Sequence, residues 1–516
     1  MPEYLAPGVY IEEIERGPKP IEGVATSTAA FLGETERGPM RPRFITSLSE
    51  YLRYFGDIFA EGKYMPYAIK AFFDNGGRRC YIARIVGAGA TAASLDDSGF
   101  NIEAIGPGSA GNRTWVRITP GTTKLPDGSA IGFRLQVAYW PRLSPDELFD
   151  PFAEPERMPR PSIIEEFDDV ALSEESSSSW DKRINNGNSA LIKMNAVGDA
   201  IPDELTAALA DGQDQAADPI GSDFEGNRDA NGDPIDDPSQ LRGLAALNLD
   251  PYREIAIVHA PFPSDNAAVE QAVITHCERN RFRFAVLDSA RGLGAVSTID
   301  PRTTIRDTSY AAFYYPWVVV SDPRSGVRRT VPPGGAVCGL YGLTDNTRGV
   351  WKAPANVTVA GAIDLEFDID HGKQELLNPR GVNVIRRFPG RGIRVWGART
   401  LSSDPLWKYV SVRRLFIFLE ASIYNSTQWV VFEPNDQRLW ARVKQTLTLF
   451  LRTQWREGAL FGAKEEEAFS VNVGRETMTE DDILNGRLII EVGIAPVRPA
   501  EFVIFRVFQK TQEAKS

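Results

Sequence analysis

The chain has 516 residues, enough for more than one domain, and its 42% hydrophobic and 24% charged residues are ordinary for a folded soluble protein. Its apolar runs are far shorter than the roughly 20 residues that span a bilayer, and its first residues do not resemble a signal peptide. Cys80, Cys277 and Cys338 lie far apart, which excludes a disulfide framework or cysteine metal site and predicts folding in a reducing cytoplasm.

The net charge of −12 hides a strong asymmetry along the chain. Residues 141–240 hold 7 basic and 24 acidic side chains, a net charge of −17, whereas residues 378–456 hold 14 basic and 4 acidic ones, a net charge of +10. Such a split indicates that the two segments have different surroundings. We expect the acidic segment to be solvated and the basic segment to face a negatively charged surface.

The first 24 residues are predicted to form an extended arm. One short strand is followed by turn formers and two prolines, and no hairpin partner lies close by in the sequence. The strand spans Val9–Ile14, and its apolar and aromatic residues are Val9, Tyr10, Ile11 and Ile14.

Residues 25–94 are predicted to begin an α/β core. The strand-like stretch TAAFLGET is followed by two helical stretches, SLSEYLRYFG and MPYAIKAFFDNGG, and by a second strand, CYIARIV. Apolar residues recur at helical spacing in the two middle stretches and form continuous runs in the outer two, which is the pattern of alternating helices and buried strands.

Residues 95–240 are predicted to be a peripheral acidic insertion. Long stretches such as SLSEESSSSWDKRINNGNS are rich in Ser, Asn, Asp, Gly and Pro. This composition favours loops and short surface strands over a packed core. We therefore expect the insertion to contribute little core and to be mostly dispensable for assembly.

From residue 241 to 385 the α/β pattern returns. EIAIVHAP, DNAAVEQAVITHCERN and RFAVLDS read as strand, amphipathic helix and strand, a unit whose default is a right-handed parallel crossover. AAFYYPWVVVSD reads as one further apolar strand. Residues 386–496 combine two long helices with strands, and residues 497–516 are predicted to form a C-terminal strand arm.

The C-terminal arm has two apolar faces. Phe502, Ile504 and Phe508 alternate along the strand with Val503, Phe505 and Val507. A strand that is apolar on both faces should be covered on both sides. Strand-like sequence at both chain ends, without local partners, predicts pairing with other chains; the alternative is a sheet within one chain.

The stretch NDQRLWARVKQTLTLFLRTQWREG (435–458) predicts an amphipathic helix. Asn435 or Asp436 caps its start and Gly458 ends it. One side gathers the apolar residues Trp440, Val443, Leu447, Phe450 and Leu451. The opposite side carries Arg438, Arg442, Arg452 and Arg456, all within about 40° of one line. Apart from Asp436 and Glu457, the helix has no acid to neutralise these arginines, so they face an acidic partner or solvent.

No catalytic residues, cofactor or metal are expected. A phosphate loop, a complete dinucleotide turn and a nucleophile elbow are missing. His276 and Cys277 are adjacent on a helix and point about 100° apart, so they indicate filler of the core rather than a thiol–imidazole pair. The carboxylates of residues 364–370 alternate as on one strand face but do not fit a calcium loop, which favours a solvated edge or loop over a metal site.

Five segments resemble the contractile tail sheath family. They are YLAPGVYIEE (4–13), VPPGGAVCGLYGLTDNTRGVWKAPAN (331–356), LNPRGVNVIRRFPGRGIRVWGARTL (377–401), KYVSVRRLFIFLEASIYNSTQWVVFEPND (408–436) and APVRPAEFVIFRVFQ (495–509). The resemblance covers residues 1–90 and 250–516, and its motifs are long, ordered and specific. Sheath proteins of contractile phages, R-type bacteriocins and phage-derived contractile injection systems share them.

The resemblance implies a non-enzymatic function and a mixed α/β (α+β) fold. A multi-domain subunit would combine an α/β core, a peripheral inserted domain at the outer surface, and extended N- and C-terminal strand arms. Subunits would polymerise helically around an inner tube, exchange strands with their neighbours, and contract to drive the tube through a target envelope. Residues 241–385 would be a sheath domain, and residues 386–496 would face the tube through Arg438, Arg442, Arg452 and Arg456.

The implied partners are other copies of the chain, the inner tube protein, and baseplate and terminal cap proteins, without nucleic acid or membrane insertion. Assembly would take place in the bacterial cytoplasm, as part of a phage tail or a phage-tail-like particle that is released. The main alternative is a nucleic-acid-binding or other surface-binding structural protein that uses the basic C-terminal helix. No aromatic-interleaved groove supports that alternative, and no evident carboxylate pair supports a carbohydrate-active enzyme.

Overall fold

The computed structural model describes residues 20–185, 187–228, 232–262 and 267–507. Two compact units make up the chain: Ala25–Arg414 is one, and Leu415–Ser516 with Met1–Val24 is the other. The predicted arm strand Val9–Ile14 and the predicted arm residue Phe508 lie outside the described residues. The domain boundary predicted at 385/386 falls inside a strand of the first unit, so the structure moves it to 414/415.

The first unit begins with an α/β segment much as predicted. Ser47 caps the first helix by accepting a hydrogen bond from the Glu50 N–H. Only the short second strand is absent from the sequence prediction. The elements are β1 (Ala29–Gly33), β2 (Arg43–Ile45), α1 (Leu48–Phe55), α2 (Met65–Asp74) and β3 (Cys80–Arg84).

The acidic insertion folds around a core of its own, which corrects the expectation of a loop-rich region with little core. Two sheets share this core; one has the strand order β10-β6-β7-β8 and the other β4-β5-β9. Strands of both sheets alternate buried apolar residues with partly exposed ones, so one face of each sheet forms the apolar core. The strands are β4 (Ser94–Asp97), β5 (Phe100–Ala104), β6 (Thr114–Pro120), β7 (Phe133–Tyr139), β8 (Ile163–Val170), β9 (Ile192–Ala196) and β10 (Leu205–Ala208).

The insertion leaves and rejoins the α/β core at one place. The Gly87 N–H donates to Gln215 Oε1 over 2.7 Å, and the Ala216 N–H donates to Ala88 O over 3.1 Å. The insertion therefore spans residues 87–216 rather than the predicted 95–240. The described residues 217–228 follow the insertion, and among them Phe224 is fully buried in the core of the main sheet.

The remaining elements of the first unit complete its α/β core. Its helices are α3 (Gly221–Glu225), α4 (Gly243–Ala246), α5 (Ala267–Asn280), α6 (Pro301–Thr304), α7 (Gly334–Arg348) and α8 (His371–Leu377). Its strands are β11 (Ile257–His259), β12 (Phe284–Asp288), β13 (Ala311–Tyr315), β14 (Val318–Ser321), β15 (Arg328–Val331), β16 (Val357–Thr358), β17 (Ala362–Leu365), β18 (Val382–Phe388) and β19 (Gly392–Val395).

A nine-stranded central sheet has the order β16-β19-β18-β13-β12-β11-β1-β3-β2. Its six middle strands are parallel, and β11, α5 and β12 form the predicted parallel unit. One face packs on α5 and the neighbouring short helices, and the other packs on α2 and α7. Both faces are covered, which explains why these strands are continuous apolar runs in the sequence.

The stretch AAFYYPWVVVSD forms two strands instead of the predicted one. Pro316 lies between β13 and β14 and has no N–H to donate to a ladder. After it, β14 leaves the central sheet and pairs with β15 and β17 in a separate three-stranded sheet. Apolar periodicity alone does not reveal this change of sheet.

Helix α7 begins at the edge of the central sheet where the parallel strands end. The Gly334 N–H donates to Asp288 Oδ1 over 2.6 Å, and a Cβ atom at Gly334 would overlap the imidazole of His259. His259 Nδ1 donates to Val286 O over 2.9 Å, which leaves Nε2 as an acceptor 3.5 Å from Asp288 Oδ2. Burial lowers the pKa of His259 to about 4 and raises the pKa of Asp288 well above its ordinary value. The two side chains therefore form a neutral pair in the core.

A buried ion pair connects α7 with the start of the first unit. Arg414 and Asp345 are 2.5 Å apart and almost inaccessible to solvent. Arg414 also donates to Thr26 O over 2.9 Å, and Thr26 Oγ1 donates to Asp345 Oδ2 over 2.7 Å. Because removing one partner of such a pair leaves a buried charge, at a cost of about 3–5 kcal/mol, these contacts fix the chain before β1.

The second unit consists of helices around one two-stranded antiparallel sheet. Near its start, the Val24 N–H donates to Ser422 Oγ over 3.1 Å, which fixes the base of the N-terminal arm on a helix. The two long helices agree with the sequence prediction. The elements are α9 (Val410–Ser426, which crosses the division between the units), α10 (Gln437–Arg456), α11 (Glu465–Ala468), β20 (Phe469–Val473), α12 (Glu480–Leu484) and β21 (Ile490–Ile494).

The position of the insertion predicts which deletions the fold tolerates. Replacing residues 88–215 by a linker of about four residues should leave a soluble protein with an intact central sheet, because the two ends already meet. Deleting residues 140–240 should instead abolish soluble expression, because it removes β8–β10 from the insertion core and Phe224 from the main core. Soluble yield and circular dichroism of both variants measure this. Equal solubility of the two variants would contradict it.

Candidate functional site

Helix α10 supplies a rigid support for the candidate site. Asp436 caps it by accepting hydrogen bonds from the Arg438 and Leu439 N–H groups, both at 2.9 Å. Its apolar side packs against β20. Trp440, predicted on that side, is only half-buried, and its indole N–H donates to Asn435 Oδ1 over 2.7 Å. The buried side consists of Leu439, Val443, Thr446, Leu447, Phe450, Leu451 and Gln454.

The arginines predicted on the other side are present, but one of them is neutralised. Arg452 forms a bidentate ion pair with Glu465 of α11, at 2.7 and 2.9 Å, and this hydrogen bond lowers the pKa of Glu465. The expectation that no acid neutralises the row therefore fails at Arg452. Arg438 and Arg456 are exposed and, within the described part of the chain, form no ion pair.

Arg442 is engaged with the loop before its own helix. Its guanidinium carbon lies 4.5 Å from the centre of the Trp429 ring, and its Nη1 lies 4.0 Å from Glu433 Oε2. A cation over an aromatic ring is held more firmly than an exposed charge pair. Arg442 therefore fastens the loop between α9 and α10 to the arginine side of α10.

Leu449 belongs to the same side and is missing from the sequence prediction. It is 45% exposed and lies seven residues after Arg442 and seven before Arg456, so the three share one line along the helix. An angular plot of all side chains, and not only of charged ones, reveals it. We call Arg438, Arg442, Leu449 and Arg456 the basic face.

The described part of the C-terminal arm lies open to solvent. Residues 501–507 form no strand, and no described part of the chain covers the side chains of residues 502–507. Five large apolar side chains are between 69% and 95% exposed: Phe502, Val503, Ile504, Phe505 and Val507. Such a contiguous apolar run is unusual for a free surface and marks an interaction site.

The sheet formed by β20 and β21 has two open edges among the described residues. Each strand pairs only with the other, over Phe469–Val473 and Ile490–Ile494. Alternate residues of β20, Phe469, Val471 and Val473, are buried. In β21, Glu491, Val492 and Gly493 are exposed. A two-stranded sheet is marginally stable and leaves a row of N–H and C=O groups free on each side. Such edges are places where a further strand can pair.

The structure places His276 beside an arginine rather than in a catalytic pair. His276 Nε2 lies 2.6 Å from Arg283 Nη1, and burial lowers the pKa of His276 to about 3. Burial raises the pKa of Cys277 to about 12, which keeps the thiol protonated at neutral pH. In the described ranges no three His, Cys, Asp or Glu side chains are placed to hold a metal ion. No described helix has the length and apolar character needed to cross a membrane.

Two protein-family models match adjacent segments of the chain. The model described as the phage tail sheath protein central domain matches residues 234–401, and the model described as the phage tail sheath C-terminal domain matches residues 402–510. Together they cover more than half of the 516 residues and leave out the insertion and the first strands of the central sheet.

Several known proteins are similar to the chain. A protein of Pseudomonas aeruginosa described as a prophage major tail sheath protein is 28% identical over 37% of this chain and 49% of its own length. The tail sheath protein of Burkholderia phage BcepMu is 26% identical over 34% of this chain and 38% of its own. The alignments thus span half or less of these relatives.

Solved structures cover nearly the whole fold. The helical sheath of the anti-feeding prophage in its contracted state matches 98% of this chain and 100% of that chain, with 26% identity and a TM-score of 0.60. The sheath of an extracellular contractile injection system, PVC, in its contracted state matches 100% of both chains with 23% identity and a TM-score of 0.61. Because the identity to the PVC sheath is only 23%, that match supports the fold and nothing further.

The contacts of the arginines predict different effects on stability. The double substitution Arg438→Glu/Arg456→Glu should change the melting temperature of the subunit by no more than about 2 °C, because neither side chain has an ion-pair partner to lose. Arg452→Glu should lower it further, because the new carboxylate faces Glu465. Differential scanning fluorimetry of the full-length chain measures both. A larger loss from the double substitution would assign those arginines to the fold.

Proposed function

The chain belongs to the phage tail sheath family, and on that basis we propose that it is a structural subunit of a contractile sheath. It polymerises helically around an inner tube and contracts to drive the tube through a target envelope. One observation carries the proposal: an exposed apolar arm and an open-edged two-stranded sheet occur in the same unit. The similarity to the anti-feeding prophage sheath in its contracted state supports it.

The chain ends link subunits by adding strands to the sheet of β20 and β21 in neighbouring copies. Phe502–Val507 has no partner in its own described chain, and both edges of the sheet are free. Adding strands satisfies the main-chain groups of arm and sheet at once and covers the apolar side chains. The N-terminal strand Val9–Ile14 takes part in the same way, from a base that Ser422 holds in place. Such a joint is strong along the strand, while the arm remains free to bend.

The basic face of α10 meets an acidic surface of the inner tube. The support is the position of Arg438 and Arg456, which are exposed and held on a helix whose other side is buried. Arg442 and Arg452 have their own acidic or aromatic neighbours and contribute less charge to the partner. Individually weak exposed pairs, about 0.2–1 kcal/mol each, suit an interface that must hold and then release, and repetition over many subunits multiplies them.

The remaining partners follow from the same proposal. Baseplate and terminal cap proteins bind the two ends of the sleeve, and the insertion forms the outer surface, where its acidic side chains are solvated. The likeness to a chain of the anti-feeding prophage baseplate assembly, 25% identical with a TM-score of 0.58, supports the baseplate contact. The subunit acts without catalysis and assembles in the cytoplasm before the particle is released.

Electron microscopy of the purified chain tests the sheath function and the role of the arms together. The intact protein should form tubular sleeves, whereas a variant lacking residues 1–20 should remain a folded monomer. The proline substitution Ile11→Pro should act similarly if the Ile11 N–H lies in the ladder, because proline cannot donate.

Ile11→Ala is the matched control for that experiment. It keeps the main-chain N–H and removes only side-chain atoms, so it should retain most of the assembly that Ile11→Pro loses. Normal sleeves from the truncated chain would show that the N-terminal arm does not link subunits.

Charge reversal tests the basic face. The double substitution Arg438→Glu/Arg456→Glu should reduce co-sedimentation with preformed inner tubes, most strongly at low salt, where exposed charges are least screened. Subunit folding should stay intact, since both side chains lie off the buried side of α10. Arg279→Glu, a reversal at an exposed arginine in the last turn of α5, is the control. Unchanged tube binding by the double variant at all salt concentrations would make the basic face ordinary solvated surface.

A further inference from the structure

The loop between α9 and α10 carries an apolar tip. Val431 is 59% exposed, and Phe432 is fully exposed, with no contact that shields its ring. Burying an aromatic side chain of this kind is strongly favourable, so leaving it in water is costly for the isolated subunit. Aromatic residues held out in this way are typical of anchors at protein interfaces.

The backbone at Phe432 has a conformation that bulky residues rarely adopt. Its φ is +68°, in the left-handed region that favours glycine. The turns on each side hold it there: the Val431 N–H donates to Gln428 O over 3.2 Å, and the Glu433 N–H donates to Val430 O over 3.2 Å. Strain of this kind persists where surrounding contacts impose it, and it occurs at binding sites.

Helix α10 holds both sides of the tip. Arg442 contacts Trp429 before Phe432 and Glu433 after it. Trp440 holds the end of the loop through its bond to Asn435. The tip is therefore presented in a fixed position and needs little ordering on binding, which favours affinity.

The tip lies on the same side of α10 as the basic face. Arg442 points away from the buried side of the helix, so the loop segment that it contacts lies on that side too. Leu449 adds a second exposed apolar side chain between Arg442 and Arg456. A partner that fits must offer an apolar pocket with acidic side chains around it.

We propose that Phe432, supported by Val431 and Leu449, is an apolar anchor that inserts into a pocket of the inner tube protein. The proposal rests on the proposed function, because it places the anchor in the contact between basic face and tube. The exposed arginines on the same side of α10, Arg438 and Arg456, disfavour the same face of a second copy, since like charges would meet there. The arginines then provide attraction at longer range, and the aromatic ring provides the contact that limits dissociation.

Co-sedimentation of the full-length chain with preformed inner tubes tests the anchor. Phe432→Gly removes the ring and suits a φ of +68°, so the melting temperature should stay equal or rise while the apparent Kd increases about tenfold or more. This increase should persist at high salt, unlike the effect of Arg438→Glu/Arg456→Glu measured in parallel. Leu484→Ala is the matched control, because Leu484 is 87% exposed in the same unit and lies in α12.

The outcomes separate the anchor from the proposed function. Normal tube binding by Phe432→Gly, with weakened binding by the arginine variant, overturns the anchor and leaves the basic face in place. Normal binding by both variants overturns the tube contact itself. If Phe432→Gly binds tubes normally but no longer forms sleeves, the tip contacts a second copy of the chain and the proposal is wrong. An equal loss with Leu484→Ala would also overturn it, since any exposed apolar side chain would then suffice.

Discussion

The first unit depends on one constraint: a parallel sheet must be covered on both faces. Six neighbouring strands of the central sheet run parallel, and each parallel connection has to cross over one face. The chain meets this demand with α5 on one side and with α2 and α7 on the other. Additional structure can attach only at the edges and ends of the sheet. The insertion accordingly departs and returns just past the end of β3, where it disturbs no crossover.

The arginines of α10 show how one helix divides its residues between fold and interface. Arg452 is fixed to Glu465, and Arg442 is fixed to the loop that bears Phe432, so both serve internal geometry. Only Arg438 and Arg456 keep their charge free for a partner. A row that looks uniform in sequence is therefore heterogeneous in the structure. In the proposed contact with the inner tube, this division leaves few strong contacts to be broken at each subunit.

Much of this architecture is readable from the sequence, for identifiable reasons. Helices such as α1 and α10 show a 3.6-residue period and good caps, and the buried parallel strands are continuous apolar runs. The insertion core escapes notice because its strands alternate polar and apolar residues within a very acidic composition. The partner of Arg452 comes from another element, 13 residues away. The positive φ of Phe432 depends on the loop's turns, which no periodicity encodes. Local pattern thus predicts elements, whereas pairings between elements depend on the fold.

The exposed C-terminal segment has a consequence for the subunit before assembly. A chain that keeps Phe502–Val507 uncovered is prone to premature self-association at high concentration, because in the proposed assembly the surface that joins neighbours is also a surface that aggregates. The acidic insertion opposes this, since residues 87–216 hold 10 basic and 21 acidic side chains, and this net charge of −11 makes free subunits repel one another. The acidic insertion thus favours colloidal stability, whereas the exposed C-terminal segment favours association. The cell must keep the concentration of free subunits low enough that addition to a growing end outpaces random encounter.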